Sequence, residues 1–214
     1  MAPTLSVIIA TAGQRLSLGD TLAALVPQLA GDDEVLLLID GPPMYGCGAA
    51  APVIRHWLAR SARVWHRHVP GGPHDDWGMT ARNHALAERW PCGSHLLWID
   101  DDDVTAPGAL AAIRAALVLA PDVPHMFRVL VHAEANGGVI WWIPEVIEGN
   151  VSTQTIVTPN VPAMLGRFGN RYAGDFDFVR DTVALYGGQV VWDDHVIADI
   201  FPARDRHESL SDRA

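Results

Sequence analysis

The stretch His95-Leu96-Leu97-Trp98-Ile99-Asp100-Asp101-Asp102-Asp103 decides how this chain is read. Five residues with the character of a buried strand run straight into four consecutive carboxylates, and Val104-Thr105-Ala106-Pro107 opens a new segment. Adjacent negative charges repel one another and desolvation adds to the cost, so such a cluster needs either a compensating cation or open water. In an α/β sheet, a strand that delivers acids to its C-terminal end places them where such sheets bind ligands. The alternative is an acidic, solvated loop followed by a helix. What decides between them is the company the cluster keeps.

Upstream, Leu5-Ser6-Val7-Ile8-Ile9-Ala10 reads as a buried strand and Thr11-Ala12-Gly13 as the turn leaving it. Residues 16–29 place Leu16, Leu22, Leu25, Val26 and Leu29 close to helical spacing. A second apolar strand, residues 34–40, ends on Asp40 and is followed by Gly41-Pro42-Pro43, so another acid sits at another strand end. A short helix over 52–60, a strand over 63–69, a turn-rich loop over 70–76 and a helix over 77–90 lead to the strand that carries the four acids. Alternating strands and helices, with near-continuous apolar strands, predict a Rossmann-like, mostly parallel α/β sheet covered by helices on both faces.

Downstream, an Ala-rich helix over 107–119 precedes strands over 125–133 and 139–143, joined through Asn136-Gly137-Gly138 in a hairpin pattern. A loop-rich stretch over 145–174, a helix from about 175 to 185, a strand over 189–192 and a polar tail complete the chain. We expect one domain over 1–214, with a Rossmann-like nucleotide-binding half (1–103) and a smaller mixed half (104–214).

Composition narrows the partners. With 49% hydrophobic and 19% charged residues the chain is a folded globular protein. A net charge of −10 disfavours nucleic acid and anionic membrane surfaces. Two cysteines, Cys47 and Cys92, need no disulfide framework, and no apolar run is long enough to span a bilayer. The expectation is a cytoplasmic protein without a transmembrane segment. Composition does not determine its oligomeric state.

Four features together resemble the family 2 glycosyltransferases, which have the GT-A fold. Ser6-Val7-Ile8-Ile9-Ala10-Thr11 looks like that family's opening strand, whose following loop lies against the nucleotide base. Asp40-Gly41 is similar to an Asp-x-Gly-Ser element whose acid meets a uracil-type base, although here one residue and the serine are missing; a strand-end acid capping a turn is the alternative. Gly78-Met79-Thr80-Ala81-Arg82-Asn83-His84-Ala85-Leu86 resembles the family's Gly-x-x-x-Ala-Arg-Asn helix start. An arginine near a helix N-terminus beside strand-end acids suits an anionic nucleotide, while the alternative is that Arg82 neutralises the acids structurally. Asp100-Asp101-Asp102-Asp103 resembles the family's Asp-x-Asp-Asp, which would turn Asp100 toward the ribose and give Asp102 to a divalent metal, with Asp101 and Asp103 in support.

Two later segments extend the resemblance. Gly174-Asp175-Phe176-Asp177-Phe178 is similar to the family's Glu-Asp-x-Asp segment, with Asp175 aligned to the catalytic base and Gly174 in place of the Glu. First-turn acids complementing a helix dipole are an equal reading of Asp175 and Asp177. Arg206-His207-Glu208-Ser209-Leu210-Ser211 looks like a late His-x-x-Ser-x-Ser element, in which His207 reaches the metal or the diphosphate; a disordered terminus is the alternative. The resemblance therefore implies an inverting, metal-dependent transfer from a nucleotide-diphosphate sugar, first of all a UDP-sugar, to an acceptor hydroxyl. The donor-binding candidates are Thr11, Ala12, Arg15, Asp40, Arg82, Asp100 and Asp101; Mn²⁺ or Mg²⁺ would be held by Asp102 and His207; Asp175 would be catalytic. A nucleotidyltransferase and an inactive scaffold of the same fold remain as alternatives.

Other patterns carry less. The dinucleotide-like Gly46-Cys47-Gly48-Ala49-Ala50-Ala51 stands too far from its strand. His66, His68 and His74 lack the companions of a zinc site. The run Arg55, Arg60, Arg63 and Arg67 reads as a solvated face, and Trp141-Trp142 as core.

Overall fold

Side chains alternate with a period of two along the first strands, and both faces they supply are apolar, as a sheet covered on both sides requires. A computed structural model describes residues 2–41, 48–132, 138–140 and 143–201. Strand β1 (Leu5–Thr11) is buried at every position. Its Leu5, Val7 and Ile9 join Val35, Leu37 and Ile39 of β2 (Glu34–Asp40) in one core, while Ile8 and Ala10 join Leu36 and Leu38 in the other. The first core is closed by α1 (Leu18–Leu25), α2 (Ala51–Arg60) and α4 (Ala109–Leu119). The second is closed by α3 (Met79–Ala87) and α5 (Gly174–Leu185).

Among the described residues the sheet has nine strands. β3 (Val64–Val69), β2, β1 and β4 (His95–Asp100) lie side by side and all parallel, and this half carries the expected Rossmann-like pattern. Beyond β4 the same sheet continues through β8 (Ile156–Pro159), β6 (His125–Val131), β9 (Val191–Ile200) and β5 (Val104–Thr105), with β7 (Gly138–Ile140) on β6. Here every pairing except β6 with β9 is antiparallel.

Two sequence expectations are corrected. The stretch read as loop over 145–174 contains β8, whose Val157 and Thr158 pair with Leu97 and Leu96 of β4 and so stitch the two halves together. The strand expected over 189–192 runs instead from Val191 to Ile200, well into what was read as tail. Helix ends also move inward: α1 and α3 begin at Leu18 and Met79, after loops that hold functional candidates. The centre of the Asn136-Gly137 turn, Trp141-Trp142, Gly46-Cys47 and His207 lie outside the described residues. Among the described residues no helix is long and apolar enough to cross a membrane.

Acids at the two ends of the parallel strands do different work. At the N-terminal edge, Asp33 accepts from Leu5 N–H at 2.9 Å and pairs with Arg114 at 2.5 Å, and Glu34 accepts from Trp65 Nε1 at 2.7 Å and Cys92 N–H at 2.6 Å. Those carboxylates are consumed by the fold. At the C-terminal edge the acids face a cavity.

Candidate active site

In-register parallel pairing places Thr11 beside Ile39, Ala10 beside Asp100 and Asp40 beside Val69, so β1, β2 and β4 end at one level. The cavity outside those ends measures about 510 Å³, and every donor-binding candidate lines it: Thr11, Ala12, Arg15, Asp40, Arg82, Asp100 and Asp101. The site is where the sheet topology puts it.

Gly78 brings Arg82 to the acids. It caps α3 with φ +79, and a Cβ there would meet the Ala10 Cβ at 2.7 Å, so only glycine allows the helix to start this close to β1. Arg82 is buried and directs its guanidinium at Asp100 Oδ1 and, at 3.1 Å, at the carbonyl of Trp77. The other oxygen of Asp100 accepts from Gln154 Nε2 at 2.5 Å. The charge-neutralising role of Arg82 is thus present in the fold, and Asp100 is held from both sides.

Asp101 is also engaged. Its Oδ2 accepts from Thr11 Oγ1 at 2.6 Å, its Oδ1 from Arg15 at 3.2 Å, and its carbonyl from Ser17 Oγ at 3.1 Å. One aspartate therefore pins the whole loop after β1. Arg15 pairs with Asp102 as well. Burial, followed by the charge of Asp100, pushes the Asp102 carboxyl up to about 6, with Arg15 opposing. Burial holds Asp101 above the usual carboxylate range against Arg15 and Thr11, burial with the charges of Asp100 and Asp102 holds Asp103 well above it, and Asp103 Oδ2 has no hydrogen-bond partner among the described residues. The cluster is short of positive charge, and its hard oxygen donors suit a divalent cation. The described residues contain no group of three or more His, Cys, Asp or Glu already gathered as a ligand set.

Asp40 is held by a residue that the sequence reading set aside. His74 N–H donates to Asp40 Oδ2 at 2.9 Å, and His74 Nδ1 lies 2.5 Å from Oδ1. His68 Nδ1 lies 3.3 Å from the Gly41 carbonyl, and the His66 and His68 rings meet edge to face at 5.4 Å. These histidines are hydrogen-bonded or packed.

Asp175 sits in the first turn of α5 and reaches the same electrostatic field. Burial raises its carboxyl, backbone N–H of Phe176 opposes this, and the charge of Asp100 raises it again. Asp177, two residues on, is instead paired with Arg171 at 2.8 Å and Arg180 at 3.0 Å, which hold it below the usual range. Of the two first-turn acids, only Asp175 makes no ion pair among the described residues. Beneath them Trp98 of β4 packs against Phe168 and Phe178 at 5.0 and 5.5 Å, and the two phenylalanines stack at 4.4 Å. This aromatic cluster ties the strand of Asp100 to the helix of Asp175.

Asn83 completes the support. Its Nδ2 donates to the Phe168 carbonyl at 2.8 Å and its Oδ1 accepts from Phe168 N–H at 3.0 Å, a two-point clamp on the loop before α5. Neither this role nor that of Gln154 carries a local signal; an asparagine directly after Arg82 was the only hint of the first.

Gly174 stands where the resemblance expects a glutamate, and the packing says why. A Cβ at Gly174 would collide with the Gly169 carbonyl, whose own N–H donates to the Gly174 carbonyl at 3.0 Å. The loop and helix touch backbone to backbone. Gly174→Glu is therefore expected to lower stability by about 1–3 kcal/mol in urea unfolding, without raising turnover, because it displaces the loop before it can add an acid. An unfolding midpoint equal to the parent's would show that the loop yields freely.

No family model and no curated protein matches the chain. Solved structures do match. S. aureus TarS 1-349 superposes with a TM-score of 0.70 at 17% identity over 92% of this chain. Its complex with UDP-GlcNAc gives a TM-score of 0.72 at 16% identity over 95% of this chain, and its complex with UDP 0.70 at 15% over 92%. In each case the chain spans 60% of the length of the TarS structure. The chain thus has the GT-A type of fold that its motifs led us to expect, and shares it with TarS.

Proposed function

We propose that this protein is an inverting glycosyltransferase that moves a sugar from a nucleoside-diphosphate donor, a UDP-sugar first, to an acceptor hydroxyl with the help of a divalent cation. The observation that carries the reading is the convergence of Asp40, Arg82, Asp100 and Asp101 on one cavity at the parallel strand ends, with Asp175 near enough to feel the charge of Asp100. That TarS was solved with UDP-GlcNAc and with UDP supports the choice of donor.

Each residue has a part. Asp40, kept in place by His74, offers its remaining lone pairs to the base. Asp100 faces the ribose with its rotamer set by Arg82 and Gln154. Asp102 would hold the cation, with His207 as a further candidate ligand. When bound, that cation supplies stabilisation of the negative charge that develops on the leaving diphosphate. Arg15, already on Asp101 and Asp102, lies where it can turn toward the same phosphates. Asp175 removes the acceptor proton as the hydroxyl attacks the anomeric carbon, and its raised affinity for protons suits that task.

Donor hydrolysis is the simplest test. Incubated with UDP-sugars and Mn²⁺, the protein is expected to release UDP slowly with water as acceptor. Release of pyrophosphate from a nucleoside triphosphate would assign it to nucleotidyl transfer instead. Absence of any turnover alongside tight metal and nucleotide binding would make it a scaffold.

A further inference from the structure

Trp77 and Tyr172 are the two aromatic residues among the large apolar side chains that stand exposed on the described surface, at 61% and 83% exposure. They come from opposite halves of the chain yet meet edge to face, with ring centroids 5.8 Å apart and planes at 86°. Trp77 lines the cavity that holds Asp40 and Asp100. Tyr172 lies on the turn that leads into α5, three residues before Asp175. The corner they form thus joins a segment that lines the donor cavity to the turn that precedes the proposed base.

Packing does not account for the indole. Trp77 has φ +56, a left-handed backbone that a bulky side chain adopts at a cost. The turn itself has a use, since it aims the Trp77 carbonyl at Arg82. Glycine or asparagine would hold that turn with less strain, and a ring that is mostly exposed regains little by burial. Beside it, Asp76 is buried, accepts the Thr80 N–H at 2.9 Å through Oδ2, and leaves Oδ1 without a hydrogen-bond partner among the described residues. An apolar ring and an unsatisfied acceptor lining one cavity match a ligand that is apolar on one side and hydroxylated at its edge.

Resting on the glycosyltransfer reading above, we propose that the Trp77–Tyr172 corner seats a carbohydrate acceptor, with a pyranose ring laid against the indole and a hydroxyl directed at Asp76. Two perpendicular rings offer two walls to a puckered chair, whereas a flat base would use only one. An acceptor placed there rests on the wall of the donor cavity and on the turn that leads to Asp175, the two segments an in-line transfer has to bring together.

Saturation-transfer NMR tests this with a panel of gluco-, galacto-, manno- and N-acetylhexosamine di- and trisaccharides, in the presence of UDP and Mn²⁺. At least one saccharide is expected to show saturation of its ring protons, with binding weakened about tenfold or more by Trp77→Ala. Trp77→Asn, which suits the left-handed turn, is expected to behave the same, separating ring loss from misfolding. Tyr172→Ala is expected to weaken the saccharide several-fold, and Tyr172→Phe to restore binding. The proposal is overturned if no saccharide binds, if it binds the variants equally well, or if the Trp77 variants lose UDP instead, which would assign the indole to the donor base. A parent protein that neither binds nor hydrolyses any UDP-sugar refutes the glycosyltransfer reading. Donor turnover by the parent combined with any of the preceding failures refutes this proposal alone.

Discussion

Asp175→Asn is expected to lower glycosyl transfer about 10²- to 10⁴-fold while leaving affinity for UDP within about twofold of the parent's. The substitution keeps the size and most hydrogen bonds of the side chain, so α5 and its contacts with Phe168 and Trp98 should persist. It removes the one property that matters, the capacity to accept a proton. The pH profile of the parent supplies an independent check. Burial and the Asp100 charge raise the Asp175 carboxyl, so its protonated, inactive form survives to higher pH than an ordinary aspartate's. Because transfer uses the ionised form, kcat/KM should climb with pH along a limb displaced above the usual value of about 3.9. Full activity in the Asn protein would move the base elsewhere.

Asp102→Ala is expected to abolish metal-dependent donor binding. A ligand present at about 100 times its Kd stabilises the folded protein by about 2.7 kcal/mol, so the parent should show a clear rise in Tm with UDP and Mn²⁺ together. The variant should show no more than the shift from UDP alone. Its metal-free fold is expected to survive, since Arg15 keeps its contact with Asp101 and the loop after β1 stays pinned through Thr11 and Ser17. An unchanged Mn²⁺-dependent shift would place the cation on other ligands. Paired with the Asp175 result, the experiment separates binding from chemistry: one variant loses the donor complex and the other retains it without turning over.

Much of the first half was legible in advance. Strands β1, β2 and β4 are apolar over most of their length, and all three terminate beside candidates that line the cavity. The second half was harder to read. β8 is only Ile156–Pro159, four residues inside a polar stretch, and it becomes a strand because β4 and β6 offer it edges on both sides. β9 carries Asp193, Asp194, His195 and Asp199, a composition that reads as tail, yet Ile197 and Ala198 are buried and its pairing with β6 runs from His125 to Val131. Gly174 looked like a lost acid and is a point of backbone contact.

From the sequence alone came the parallel half and the residue types that gather at the cavity outside its strand ends, because apolar runs and strand-terminal acids are local patterns. Only the tertiary structure decided the pairings: Asp100 with Arg82 and Gln154, Asp40 with His74, Asn83 with Phe168, and Asp177 rather than Asp175 with arginine. Which carboxylate is neutralised and which stays available depends on distances between segments far apart in the chain, and charge interactions fall off over a few ångströms that no local pattern encodes.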